Sequence, residues 1–243
     1  MNLTNLSLSL AIAALLAAVL AAGCAGSLLS TGGNSTPAPP DGAVVLPAPR
    51  PESSTSVEEA LRERRSVRAY AEVPLMLADV GQVLWAAQGV TDERGYRTAP
   101  SAGALYPLEV YVVAGNVADF EPGIYHYRPG DHLLVRVSGG DRRADLRAAA
   151  ADQAPVGEAP ATLVIAAVQE RTTRKYGDRG IRYVAMEAGH AAENVYLQAE
   201  GLDLSTVAIG AFDDDRVREV LMLPENMTPL YLMPVGRPVP GNG

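Results

Sequence analysis

Two short stretches carry side chains suited to chemistry. RERRSVR sets Arg62, Arg64, Arg65, Ser66 and Arg68 within seven residues of a chain whose formal net charge is −8. Guanidinium forks beside a hydroxyl match a phosphate through charge-assisted hydrogen bonds. The same cations also suit the negative end of a helix dipole, so this segment alone leaves both readings open. Further along, RTTRKYGDRG (171–180) sets Lys175 beside Tyr176. A lysine can act as a base once burial or a neighbouring cation lowers its pKa, and a phenol can orient or relay the proton. The competing reading is a mobile surface loop following a core strand. Glu187, His190 and Asn194 fall on one helix face and suit a subunit interface or the wall of an active site. Arg237, in GRP after the last strand, is either a second phosphate-directed arginine or an ordinary surface one.

The remaining chemistry is narrowed by what is missing. The single cysteine, Cys24, and the three histidines, His126, His132 and His190, are not spaced as zinc ligands, and one thiol forms no intrachain disulfide. GxGxxG, Walker, GxSxG and HExxH patterns are absent, which disfavours a nicotinamide Rossmann domain, a phosphate-loop nucleotidase, an elbow-type serine hydrolase and a zincin. The acidic balance argues against nucleic-acid binding by general electrostatics.

The elements that must position these residues follow from periodicity. Ser56 with Glu59 has capping-box spacing, and a helix is expected to about Arg65. LADVGQVLWAAQGV repeats at helical intervals and stops at Gly89. APSAGALYPLEVYVVA (99–114) is a loop of small residues running into a strand. Either it is an alanine-rich turn or something flat lies against its backbone. GIYHYRP and HLLVRVS form a hairpin about Arg128–Asp131. Then come a helix at DRRADLRAAAADQ, a central strand at ATLVIAAVQE and the longest helix at IRYVAMEAGHAAENVYLQAEGL. STVAIGAF reads as strand, DDDRVREVLML as helix and MTPLYLMPVG as the final strand. With 243 residues, 48% of them hydrophobic, the chain predicts one α+β layered domain.

The first 24 residues are an address. An uncharged leader with an apolar run from Leu10 to Ala22 precedes Cys24, resembling a lipoprotein signal whose cysteine is lipidated. Residues 25–55, rich in Ser, Gly and Pro, read as a flexible tether, so folding is expected to start near Ser56. The protein is then exported and membrane-tethered, with an uncleaved anchor and a cytoplasm-facing domain as the alternative.

RRSVR, PSAGALYP, KYGDRG, AIGAFDD and GRP occur in that order between Ser56 and Pro238. Together they resemble the nitroreductase-like flavoproteins, most closely their SagB-type (thiazole and oxazole dehydrogenase) branch. The resemblance implies an α+β domain over residues 56–240, with a central, mostly antiparallel sheet flanked by helices and FMN at a homodimer interface. It implies that Arg64, Arg65 and Ser66 grip the FMN phosphate, that Arg237 adds to that site, and that Arg68 reaches the pyrimidine edge. Pro100, Ser101, Ala102 and Gly103 match the loop that lies along the flavin, which would explain the small side chains. Gly210 and Ala211 match the segment whose backbone N–H groups approach the N5 and O4 region; many relatives carry a second glycine where this chain has Ala211. Lys175 and Tyr176 match the pair assigned to base catalysis in azoline-oxidising members.

The implied reaction moves a hydride onto flavin N5 while a base removes a proton from the adjacent atom, leaving C=C or C=N in a small or peptidic substrate. Nicotinamide cofactors are scarce outside the cytoplasm, which favours an enzyme drawing electrons from its own substrate. An NAD(P)H-dependent reductase of nitro, quinone or flavin substrates is the alternative on the same fold. A non-catalytic lipoprotein binding a ligand or partner, and a carrier passing electrons to a membrane partner, are the others.

Overall fold

The computed structural model describes residues 42–239. Cys24, the leader and the first part of the expected tether lie outside the described residues. Among the described residues no helix is long and apolar enough to cross a membrane.

Seven strands form one sheet: β1 (Ala43–Val45), β2 (Leu108–Ala114), β3 (Gly123–Arg128), β4 (Leu133–Gly139), β5 (Ala161–Ala167), β6 (Ser205–Thr206) and β7 (Thr228–Gly236). Their order is β1-β4-β3-β2-β5-β7-β6, and every pair is antiparallel. The helices are α1 (Val57–Glu63), α2 (Leu77–Gln88), α3 (Arg143–Ala149), α4 (Ala154–Glu158), α5 (Glu170–Tyr176), α6 (Arg179–Glu200) and α7 (Asp214–Leu221).

ATLVIAA is a continuous apolar run because β5 is central and buried on both faces. Alternation along β2 sorts the side chains between two cores. Val110 and Val112 join Leu163, Ile165 and Met233 under α2 and α6. Tyr111 and Val113 join Val164 and Leu232 under α3, α4 and α7. Two layers of helices therefore enclose the sheet, as expected for the α+β fold.

Three expectations are corrected. The fold begins before Ser56: Ala43–Val45 pairs with β4, Leu46 is buried, and Arg50 N donates to Gln82 Oε1 at 2.8 Å. Leu46 joins the core and Val44 packs against it, a contribution that the polar tether around them hides in a composition reading. RTTRKY is helical rather than a loop. Its two threonines give little local helix signal, and packing against α6 supplies what propensity lacks. A side chain on Gly180 would come within 2.9 Å of the Thr173 backbone, so the tight α5–α6 elbow needs a glycine there. STVAIGAF is a strand only at Ser205–Thr206, followed by one isolated bridge between Ile209 and Leu232. The chain then leaves the sheet at Gly210.

Candidate active site

The α1 helix starts on Ser56, whose hydroxyl accepts from Glu59 N, and ends at Glu63 with Arg64 as its C-cap. Beyond it the chain is stitched to β6: Ser66 bridges Thr206, and Val67 N donates to Thr206 O at 3.1 Å. Tyr196, on α6, closes this corner. Its Oη accepts from Ala208 N at 2.8 Å and lies 2.9 Å from Ser66 Oγ. With an N–H already on the phenol oxygen, the best-satisfied arrangement gives the phenol proton to Ser66. Ser66, itself exposed, then keeps its own proton for an outside acceptor.

The arginines divide their work. The Arg64 guanidinium lies over the Tyr196 ring, 5.3 Å from its centroid, and Arg68 Nη1 donates to Ser66 O at 3.3 Å. Arg65 turns back and donates to Arg62 O and Arg64 O at 2.9 and 2.8 Å, so it caps the helix end. Arg237 Nη2 lies 3.8 Å from Asp79, and its Nη1 reaches Asp203 O at 3.5 Å. Arg64, Ser66 and Arg68 are thus gathered at one corner, whereas Arg65 is taken up by the helix end and Arg237 by Asp79 and the Asp203 carbonyl. Burial and the Glu63 charge raise the Glu200 carboxyl, against Arg64 and Arg65, which places both arginines at the C-terminal end of α6.

The loop before β2 is held in an uncommon shape. Gly103, Ala104 and Tyr106 have φ of +66°, +53° and +46°, and two of these three are not glycine, so the turn stores strain. Ser101 Oγ accepts from Tyr106 N at 2.9 Å, Arg171 Nη1 donates to Tyr106 O at 3.1 Å, and Arg97 stacks on the Tyr106 ring at 4.6 Å. A Cβ on Gly103 would sit 2.8 Å from Tyr176 Oη and 2.9 Å from Lys175 Nζ. The Lys-Tyr pair therefore converges on the small-residue loop. Lys175 Nζ is 5.3 Å from the Tyr176 ring centroid, and Tyr176 meets Tyr183 edge-on at 5.2 Å.

Gly210 and Ala211 are exposed, and Gln153 Nε2 fixes the segment by donating to Ala211 O at 2.8 Å. A Cβ on Gly210 would meet only the Tyr231 ring, at 3.9 Å. Among the described residues neither the Gly210 nor the Ala211 N–H meets a protein acceptor. Open space beside unengaged amide donors suits the polar edge of a flat ring that gains negative charge on reduction. These features, with the available Ser66 hydroxyl, fit a phosphorylated flavin.

Periodicity pointed to Glu187, and Asn194 does meet α2, donating to Ala86 O at 3.1 Å; His190 is exposed. No local pattern marks Arg97, Tyr196 or the Glu109–His126–Arg171 group as part of a site. Glu109 on β2 meets His126 Nε2 at 2.7 Å and Arg171 Nη2 at 2.5 Å. Burial works to raise its pKa, but the hydrogen bonds from His126 and Arg171 and the Arg171 charge hold it below the usual carboxylate range. Glu187 is 2% exposed and its Oε1 has no hydrogen-bond partner. Burial pushes this carboxyl up to about 7, against the Ser101 hydroxyl and the Arg97 charge. Among the described residues no group of three or more His, Cys, Asp or Glu could hold a metal.

The antiparallel α+β scaffold thus carries an arginine–serine corner, a strained small-residue loop and a Lys-Tyr pair. Comparison with known proteins gives the family. The chain belongs to the nitroreductase family, whose model matches residues 61–237, and it is an oxidoreductase of that family. It is 52% identical over 183 residues to the nitroreductase-like protein MJ1384 of Methanocaldococcus jannaschii, covering 75% of this chain and 91% of that one. It is 30% identical over 132 residues to the microcin B17-processing protein McbC of Escherichia coli, covering 52% of this chain and 48% of McbC. The chain thus spans about half of McbC. Among solved structures, a nitroreductase-like protein from Ralstonia eutropha superposes with a TM-score of 0.72 at 30% identity, covering 82% of this chain and 90% of that one. A chain of the E. coli microcin synthetase McbBCD complex, with truncated pro-MccB17 bound, gives 0.62 at 25% identity, covering 79% and 77%.

Proposed function

We propose that this protein is an FMN-dependent dehydrogenase or oxidase of the SagB type, acting as a homodimer on a small or peptidic substrate. The observation that carries this reading is the convergence of Lys175 Nζ and Tyr176 Oη on Gly103. Arg64, Ser66 and Arg68 would hold the phosphate and pyrimidine parts of FMN, and the Gly210 and Ala211 amides its polar edge. Bound FMN supplies a hydride acceptor. Lys175 takes the proton from the substrate atom next to the one that loses hydride, and Tyr176 orients that lysine and the substrate. The loop of Pro100, Ser101, Ala102 and Gly103 keeps bulk away from the ring plane. Similarity to McbC, a microcin-processing protein, supports a peptidic substrate.

The match to MJ1384 favours a second reading, NAD(P)H-dependent reduction of nitro or quinone compounds on the same site. Stopped-flow mixing of FMN-loaded protein with NADH, and separately with a thiazoline-containing peptide, distinguishes them. Bleaching of the flavin by the peptide, but only slowly by NADH, is the expected result. Lys175→Ala should keep FMN and lower peptide turnover by about 100-fold or more; undiminished turnover removes Lys175 from the mechanism. We propose also that lipidation at Cys24 tethers the enzyme to a membrane. Labelling with a radioactive fatty acid, lost in Cys24→Ser, tests that tether.

A further inference from the structure

A carboxyl that is buried and left short of partners sits behind the loop proposed to lie along the flavin. Glu187 is on the inner side of α6 at 2% exposure, and its Oε1 has no hydrogen-bond partner among the described residues. A buried carboxylate in that condition is costly, whereas a neutral carboxyl forfeits much less. What faces it is a short set of groups. The loop between α2 and β2 contributes Arg97, Ser101 and Tyr106. Arg97 is not dedicated to Glu187: Nη1 is held by Gln88 Oε1 of α2 at 2.7 Å, the guanidinium lies on Tyr106, and its charge is shared with Glu109 of β2. On α6 itself the preceding turn carries Tyr183, which leans on Tyr176. Among these, the Ser101 hydroxyl works with the Arg97 charge to lower the Glu187 pKa against burial. The Ser101 hydroxyl oxygen accepts from Tyr106 N at 2.9 Å, which leaves its single proton free for a further acceptor. The serine is thus poised between the carboxyl and the small-residue backbone of Ala102 and Gly103.

We infer that Glu187 is the proton store of the flavin site, binding one proton when the cofactor is reduced and releasing it on reoxidation, and that it acts through Ser101. The inference rests on the flavin reading above. The balance is simple. Hydride transfer from the substrate brings two electrons and one proton to the cofactor, and the substrate's other proton goes to Lys175. Once Lys175 has passed that proton on to water, the site is more negative by one charge, and one proton from water converts the Glu187 carboxylate to the neutral acid. Reoxidation reverses the step, so no further oxidant or reductant enters. A carboxyl pushed up to about 7 changes protonation state with least effort near neutral pH. Glu187 lies behind the loop rather than at the reacting atoms, so its role is positioning of charge and not bond chemistry.

The test is a potentiometric titration of FMN-loaded protein across neutral pH. In wild type the midpoint potential should change its pH slope near pH 7 by one proton per two electrons. In Glu187→Gln that break should vanish with FMN affinity retained, which a merely structural carboxyl would not produce. Ser101→Ala removes a hydrogen bond that favours the carboxylate and should move the break to higher pH. An unchanged break in Glu187→Gln overturns the inference. Protein that never takes up FMN overturns the flavin reading itself, a separate and visible failure. Should Glu187→Gln not fold, wild type alone decides through its reduced-minus-oxidised infrared spectrum. A carboxylic-acid carbonyl band gained on reduction supports Glu187, and its absence refutes it.

Discussion

Two carboxyls, Glu187 buried and Glu109 partly buried, share the Arg97 charge and are driven in opposite directions. Glu109, with 15% of its side chain exposed, has His126 at 2.7 Å and Arg171 at 2.5 Å and is held ionised. Glu187 has the Ser101 hydroxyl and a fraction of the Arg97 charge and is pushed towards the neutral acid. Burial acts to raise both, so the difference lies in how many donors each neighbourhood supplies. Where the sheet meets α5 the charge is fully paired and forms a fixed joint. Beside the strained loop the pairing is incomplete, and the charge is free to change. The same guanidinium serves both sides, and it keeps the two carboxyls in one electrostatic unit.

The contrast predicts opposite pH dependences of stability, the largest effects expected. For Glu187 the folded pKa of about 7 exceeds its unfolded value of 4.5. The native state therefore binds more protons in that window, and stability falls as pH rises through it, by at most about 3 kcal/mol. Glu187→Gln should flatten this fall when urea unfolding is compared near pH 5 and near pH 8. Glu109 has the reverse sign. Its depressed pKa contributes stability that is present above the unfolded value and lost as pH falls through the folded one. Glu109→Gln should cost about 2 kcal/mol at neutral pH, because Arg171 and His126 lose their shared acceptor. If both substitutions changed the same side of the pH curve, the division between joint and store would fail.

A smaller effect is expected where the joint meets the chemistry. Arg171 spans Glu109 and the Tyr106 carbonyl one turn before Lys175. Lysine keeps the charge but loses the fork that reaches both acceptors. Arg171→Lys should cost about 1 kcal/mol of stability and lower turnover more than it weakens FMN binding. Equal losses in both would mean that α5 positions the cofactor as well as the Lys-Tyr pair.

The comparison also marks how far the sequence could be read. Strands β2, β3, β4, β5 and β7 and the long α6 were legible because their apolar residues recur at period two or at helical intervals over many positions. The motifs drew attention to the arginine–serine corner, the small-residue loop and Lys175–Tyr176, since each is a local run of residues. Glu109 and Glu187 differ in this respect. In sequence Glu109 is one polar residue in a strand, and its partners stand 17 and 62 positions away. Nothing local distinguishes it from an exposed glutamate. Periodicity drew attention to Glu187, but its burial depends on α2 and the loop folding over α6. β1 was missed because three residues give too short a pattern, and α5 because packing rather than propensity makes it helical.

The smallest predicted effect separates distance from environment. Asp145 on α3 meets Arg142 Nε at 2.6 Å, as short as the contacts of Glu109, but its side chain is 54% exposed and that of Arg142 36%. In that setting water screens both charges, and holding two long side chains together costs rotamer entropy. Asp145→Ala should change stability by less than about 0.5 kcal/mol, and added salt should shrink even that. The Glu109 joint should keep more of its effect in the same salt, because Glu109 and His126 are only 15% and 22% exposed and two donors share the carboxylate, although Arg171 itself is 41% exposed. A loss at Asp145 equal to that at Glu109 would mean that contact distance, and not the number of donors around a less exposed carboxyl, sets the worth of a carboxyl in this protein. The opposed behaviour of Glu109 and Glu187 would then need a different cause.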